Sequence, residues 1–186
     1  MNLIFLGPPG VGKGTQAKLI CDYFDIIHLS TGDMLRTEIN NESDIGKTAK
    51  SFIDQGALVP DEVLLDIIDS RLSDSNIQNG YLLDGFPRTI PQAEGLNDIL
   101  KNNSQKLDAV VSLTANENEL IERLIKRGRD SGRSDDTPEI IKQRQEVYWK
   151  QTSPLVNFYN DEKLLKEIDG IGEINEIKNR ILEALN

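Results

Sequence analysis

The residues Gly7-Pro8-Pro9-Gly10-Val11-Gly12-Lys13 place glycines and a lysine at the spacing G-x-x-x-x-G-K, the pattern of a loop that grips phosphate. Its glycines allow backbone angles that turn several N–H groups inward, and they leave room for phosphate to approach. A helix starting just after it would aim its positive end at the same spot. Lys13 supplies a compact charge for the β- and γ-phosphates of a nucleoside triphosphate, so Gly10, Val11, Gly12, Lys13, Gly14 and Thr15 are the candidate triphosphate site. Loops of this kind normally follow the lysine with a magnesium-ligating hydroxyl. Here Gly14 intervenes and the hydroxyl arrives at Thr15. Asp84, closing the apolar run Tyr81-Leu82-Leu83, is the carboxylate placed to hold a hydrated metal ion through water.

A second constellation is cationic. Five of the nine arginines fall between positions 123 and 144, namely Arg123, Arg127, Arg129, Arg133 and Arg144, in a chain whose net charge is −10. Such a run could be a solvated face, but arginine enriched over lysine in an acidic protein favours bidentate phosphate contacts. The overall charge argues against nucleic acid or an anionic membrane as the main partner, while a local cluster still suits an anionic small molecule.

These residues need elements to position them. Asn2–Leu6 predicts a buried strand, Lys13–Phe24 a helix, Ile26–Leu29 a short strand, and Ser30-Thr31-Gly32-Asp33 the capped start of a helix to about Asn40. Asp44–Asp54 predicts a short helix. From Pro60 another begins, with Leu64, Ile68 and Leu72 as its core-facing stripe. Tyr81–Asp84 is a strand, about Thr89–Lys101 a helix, Leu107–Leu113 a strand, and Asn116–Lys126 a helix with Leu120, Ile121, Leu124 and Ile125 inward. The glycine-, serine- and aspartate-rich stretch 128–137 predicts a loop. Thr137-Pro138 opens a helix to about Tyr159, bent before Pro154. A strand at Leu164–Ile168 and a helix at Glu173–Leu185, with Ile174, Ile177, Ile181 and Leu185 on one face, complete the chain. Short apolar strands alternating with helices imply an α/β fold with a parallel sheet covered on both faces. Stretches 31–60 and 127–137 break the alternation and predict inserted lobes that close over the site.

At 38% hydrophobic and 28% charged residues over 186 positions, the composition predicts one globular, soluble, cytoplasmic domain. The single cysteine, Cys21, excludes an internal disulfide and a cysteine-rich zinc site, and reads as a buried helix residue. The one histidine, His28, reads as a core or edge-strand residue. No Asn-Lys pair is present to begin a guanine-binding motif.

Four segments together resemble the adenylate kinase family in its short-lid form. They are Gly-Lys-Gly-Thr-Gln at 12–16, Ser-Thr-Gly-Asp-Met-Leu-Arg at 30–36, Asp-Gly-Phe-Pro-Arg-Thr at 84–89, and Arg-Gly…Gly-Arg-Ser-Asp-Asp at 127–136. The resemblance implies a P-loop NTPase three-layer sandwich with a five-stranded parallel sheet, an AMP-binding lobe at 30–59 and a lid at 127–137. It implies reversible phosphoryl transfer from ATP to AMP with Mg2+, no structural zinc, and a monomer. By the same resemblance Arg36 and Arg88 hold the AMP phosphate, and Arg133 and Arg144 close over the transferring group. Arg123 and Arg127 serve ATP, Gly170 offers a carbonyl to the ATP adenine, and Thr31 and Gln92 face the acceptor adenine. The backbone of Ala57-Leu58-Val59 and Gly85-Phe86-Pro87 lines that pocket, and Asp135 and Asp136 hold lid arginines and cap the next helix. Arg129 receives no role. A pyrimidine monophosphate kinase of the same fold and a nucleotide sensor are the competing readings.

Overall fold

The computed structural model describes residues 1–73, 77, 79–131 and 133–186. In chain order the elements are β1 (Asn2–Leu6), α1 (Lys13–Phe24), β2 (Ile27–Ser30), α2 (Thr31–Asn40), α3 (Asp44–Ile53), α4 (Asp61–Leu72), β3 (Tyr81–Asp84) and α5 (Ile90–Asn102). The chain continues through β4 (Ala109–Thr114), α6 (Glu117–Ser131), a 3-10 turn (Ser134–Asp136), α7 (Pro138–Val147), a π turn (Tyr148–Thr152), α8 (Pro154–Asp161), β5 (Leu165–Asp169) and α9 (Ile174–Leu185).

All five strands pair in parallel, in the order β2-β3-β1-β4-β5. Strand alternation sorts the core into two layers. Ile4, Leu6 and Leu83 face one side and pack with Leu64, Ile68, Leu72, Leu96, Leu155 and Tyr159 from α4, α5 and α8. Leu3, Phe5 and Leu82 face the other and pack with Ala17, Ile20, Leu120, Ile177 and Ile181 from α1, α6 and α9. Each large apolar side chain buried this way contributes about 1.5–3 kcal/mol. The result is the expected three-layer α/β sandwich, and it is the register that matters for function. Phe5 and Ser30 both pair with Asp84. The carboxyl ends of β1, β2 and β3 therefore deliver Gly7, Thr31 and Gly85 to one edge of the sheet, where open α/β folds bind ligands.

Local chemistry accounts for the helix starts. Ser30, Ser43, Thr89 and Thr137 each accept a hydrogen bond from the first turn of the helix they precede. The Leu64, Ile68 and Leu72 stripe is buried as its spacing requires. On α9 the inward face is Ile177 and Ile181, whereas Ile174 is 52% exposed. Where a bend before Pro154 is expected, the chain runs from α7 through the π turn into α8, and Pro154 itself cannot donate to the preceding helical turn.

The stretch 128–137 departs from the loop expected of it. Helix α6 runs on to Ser131, then a 3-10 turn leads into α7. Gly128 stays helical because it is needed for closeness and not for turning: a Cβ there would lie 2.8 Å from the Asp136 carbonyl oxygen. Residue 132, inside the predicted lid, lies outside the described residues. Cys21 is buried on α1, and burial pushes its thiol up to about 12. His28 lies on β2, the edge strand of the sheet.

Candidate active site

The loop between β1 and α1 turns through Gly10 (φ +90°) and Gly12 (φ +98°), conformations that side chains with a Cβ resist. Helix α1 begins at once, with Gly12 as its cap, no side-chain cap and no acid in its first turn. Its amino end is thus left to other acceptors, as an anion site requires. Lys13 Nζ donates to the carbonyl oxygens of Gly7 (2.6 Å) and Pro8 (3.1 Å). Burial lowers its pKa to about 8, helped by Arg88, Arg144 and Arg127 and opposed by Asp84.

Above this loop lies a cleft of about 980 Å³, at the upper end of the range for small-molecule pockets. Gly10 to Thr15 form one wall, with Arg123 and Arg127; Thr31, Arg36, Ala57, Leu58, Val59, Gly85 and Arg88 form another, and Asp84, Arg133 and Arg144 also face in. A smaller chamber of about 80 Å³ adjoins it between Lys13, Arg88, Arg144, Tyr148 and Thr152.

The arginines are held in different ways. Arg36 pairs with Asp33 across one helical turn (2.6 Å). Burial opposes the Asp33 carboxylate, but Arg36 outweighs it and holds its pKa below the ordinary value. Arg88 Nε donates to the Gly85 carbonyl (2.7 Å). Burial, then the facing Arg144, presses against the Arg88 charge, which as a guanidinium it nevertheless keeps. Arg123 pairs with Glu119 and points Nη1 at the Gly170 carbonyl (3.4 Å). Arg127 grips Asp136 through two bonds of 2.7 Å, and Arg144 reaches the same carboxylate (2.6 Å) and that of Asp135 (2.8 Å). Burial opposes the Asp136 charge; Arg127 and Arg144 outweigh it and lower its pKa. Arg133 forms no ion pair with any described residue, and burial beside Arg36 and Arg127 lowers its pKa. Arg129 is exposed. The two aspartates do hold arginines, while the helix cap expected of them is supplied by Thr137.

Some expected residues lie away from the cleft wall. Gln92 is fully buried, with Oε1 accepting from the Arg88 N–H (2.7 Å) and Nε2 donating to Asp61 (2.6 Å). Phe86 is a core side chain, and Pro87 lines the smaller chamber. Gly170 is closed in by Thr114 and Val11, leaving Gly172, Ile174 and Ile177 on the cleft. Thr31 lines the cleft while its hydroxyl donates to the Gly85 carbonyl (2.9 Å).

Sequence reasoning missed two neighbours. His28 Nε2 sits 3.3 Å from Asp84 Oδ2; the period of two in β2, with His28 paired to Leu82, was the available signal. Gln145 is buried on α7 and donates to the Pro9 carbonyl (3.2 Å), with no motif to announce it.

A phosphate loop, a buried carboxylate at the next strand's end and arginines converging from three segments can align two phosphorylated ligands and neutralise charge between them. That arrangement defines a P-loop phosphotransferase. A family model described as Adenylate kinase matches residues 5–164. Three proteins named Adenylate kinase align along the whole chain. That of Stenotrophomonas maltophilia (strain K279a) is 46% identical over 185 residues, covering 100% of this chain and 99% of its own. That of Bacteroides thetaiotaomicron is 47% identical over 186 residues, covering 100% and 98%. That of Nocardioides sp. is 44% identical over 186 residues, covering 100% and 97%. The chain belongs to the adenylate kinase family, whose members are enzymes that transfer phosphoryl groups to nucleoside monophosphates.

Proposed function

We propose that the protein catalyses reversible phosphoryl transfer from Mg-ATP to AMP, giving two ADP, and so balances the adenine nucleotides. The observation that carries this reading is that one cleft gathers the phosphate loop and two arginine sets, Arg36 with Arg88 and Arg123 with Arg127, with Arg133 and Arg144 facing the same space. A single triphosphate needs only one such set.

Phosphoryl transfer asks for alignment and charge neutralisation more than for covalent help, and no general base is required. Gly10 to Thr15 and Lys13 hold the ATP phosphates, with Arg123 and Arg127 beside them. Arg36 and Arg88 hold the AMP phosphate. Arg133 and Arg144 neutralise the charge that spreads over the transferring group. On the acceptor side, Thr31 and the backbone of 57–59 and 85–87 receive adenine; Gln92, buried behind Arg88 with both ends of its amide engaged, would offer the acceptor and donor that an adenine edge needs only by turning that amide toward the base. The Gly170 carbonyl belongs to the ATP base site. The segments 30–59 and 127–137 act as the AMP lobe and the lid, closing to exclude water.

Magnesium fits the residues present. It keeps most of its waters in such sites and leans on one or two carboxylates plus substrate phosphates. Asp84, nine-tenths buried beside the phosphate loop and close to Gly14, would hold it through water. Bound with ATP, it would supply positive charge that offsets that of the phosphates. The net charge of −10 supports a chain that works apart from nucleic acid and membranes, and no helix among the described residues is long and apolar enough to cross a bilayer. We read it as a cytoplasmic monomer.

The test is substitution of the phosphate contacts. Lys13→Met and Arg88→Ala should each lower kcat by about a hundredfold or more, as loss of one preorganised charge at a transition state does. The melting temperature should move by no more than about 4 °C. Loss of folding with specific activity intact would reverse the assignment.

A further inference from the structure

Arg88 is held by more than its own side chain. Its main-chain N–H donates to Gln92 Oε1 (2.7 Å) and its carbonyl accepts from Thr152 Oγ1 (2.8 Å). Gln92 is fixed in turn. Its Nε2 donates to Asp61 Oδ1 (2.6 Å), and the other oxygen of that carboxylate accepts from Thr89 Oγ1 (3.1 Å). The orientation of the amide is dictated: a main-chain N–H can only donate and an ionised carboxylate can only accept, so Oε1 must face Arg88 and Nε2 must face Asp61. Gln92 is 0% exposed and Thr152 is 7% exposed, so neither bond has water as a ready substitute.

The two anchors come from different arms of the molecule. Asp61 is the first residue of α4, separated from the segment 30–59 by Pro60 alone. Thr152 is the last residue of the π turn that continues α7, the helix bearing Arg144. A π turn adds one residue to the helical path, which rotates the next helical segment by about 100°. That offset brings the Thr152 hydroxyl onto the Arg88 carbonyl. Valine or any residue of this size would pack at the position, but only a hydroxyl satisfies that carbonyl.

We infer that Thr152 and Asp61 are positioning residues for Arg88, fixing its main chain from both sides so that its guanidinium meets the acceptor phosphate in one geometry. The inference rests on Arg88 being the acceptor-phosphate ligand. Neither residue is among those assigned above to either ligand; each acts through the Arg88 main chain. Their effect belongs to the acceptor half of the site, and the triphosphate half should not feel it.

The experiment compares wild type, Thr152→Val, Thr152→Ser, Asp61→Ala and Asp61→Asn, with KM for AMP, KM for ATP and kcat measured on each and folding checked by circular dichroism. Thr152→Val keeps the shape and removes the hydroxyl. It should raise KM for AMP about fivefold, the effect of one net hydrogen bond, and leave KM for ATP within about twofold. Thr152→Ser should restore both. Asp61→Ala should act in the same direction, while Asp61→Asn, which keeps an acceptor for Gln92, should retain most of the wild-type value. The Thr152→Val/Asp61→Ala double variant should be less impaired than the product of the singles, because both act on the two peptide groups that flank one Cα, that of Arg88. If Thr152→Val does not fold, the Asp61 pair carries the test alone. Unchanged KM for AMP, equal rises in both KM values, or failure of serine and asparagine to rescue would overturn the inference. A wild type that does not turn over AMP would remove the acceptor-site reading itself, whereas a working wild type with insensitive variants removes only the positioning role.

Discussion

At Lys13 the phosphate loop and a nucleotide draw on the same three protons. Two loop carbonyls hold Nζ, and burial among Arg88, Arg144 and Arg127 lowers its pKa to about 8. Phosphate brought against Nζ favours the charged form, so nucleotide binding at pH 8.5 should take up protons. Calorimetry in buffers of different ionisation heat should show uptake of at most about three-quarters of a proton per site, lost in Lys13→Met. The absence of buffer dependence would contradict this. For stability the sign is opposite to that of a paired lysine. Between about pH 8 and the ordinary value of 10.5, the folded protein binds fewer protons than the unfolded chain, so this group's contribution grows as pH rises through that window. Lys13, Asp84 and the arginines were legible in the sequence because a loop motif, a strand end and a charge cluster each announce themselves. The anchors of Arg88 were not. Asp61 and Thr152 reach it from distant elements, and no local pattern distinguishes an anchoring aspartate or threonine from an ordinary helix-end residue.

At the scale of elements, the junction of α6 and α7 shows where reading by composition stops. Gly128, Asp130 and Ser131 look like loop residues, yet α6 continues through them because Gly128 lets the Asp136 main chain approach closely. Composition cannot distinguish a glycine that turns a chain from one that admits a neighbour. The consequence is a clamp: the side chain of Asp136 is 0% exposed and joins Arg127 on α6 to Arg144 on α7. Asp136→Asn should destabilise the protein by about 2 kcal/mol, a value discounted from a fully buried pair because both arginines keep some exposure. It should also weaken nucleotide binding, since Arg127 and Arg144 lose their common anchor. Urea unfolding and nucleotide titration check the two effects. Since the folded pKa of Asp136 lies below the ordinary 3.8, its stabilisation is present above that value and is lost as pH falls through the lower one. In the variant, that part of the acid-induced loss of stability should disappear. The β strands and most helix starts needed no such tertiary knowledge, because strand alternation, Ser and Thr caps and proline positions are local signals.

Across the whole molecule, function arises from a sheet order that returns β1 to the centre. With β3 and β4 on its two sides, the loop after β1 stands at the middle of the carboxyl edge, with Asp84 at the end of the adjacent β3 and Thr31, one strand further out, just after β2. Segments 30–59 and 127–137 then bring arginines to the loop from outside the sheet. The same scaffold could serve a pyrimidine acceptor or a sensor that binds without turnover, and the arginines do not separate these, because every acceptor carries a phosphate. In the proposed function, the acceptor pocket of Thr31 and the backbone of 57–59 would favour a purine with an amino edge. Purified protein supplied with Mg-ATP and, in turn, AMP, CMP, UMP and GMP therefore tests the account most directly: it should convert AMP to ADP far faster than any of the others turns over. Faster turnover with CMP or UMP, or none with any monophosphate, would contradict it.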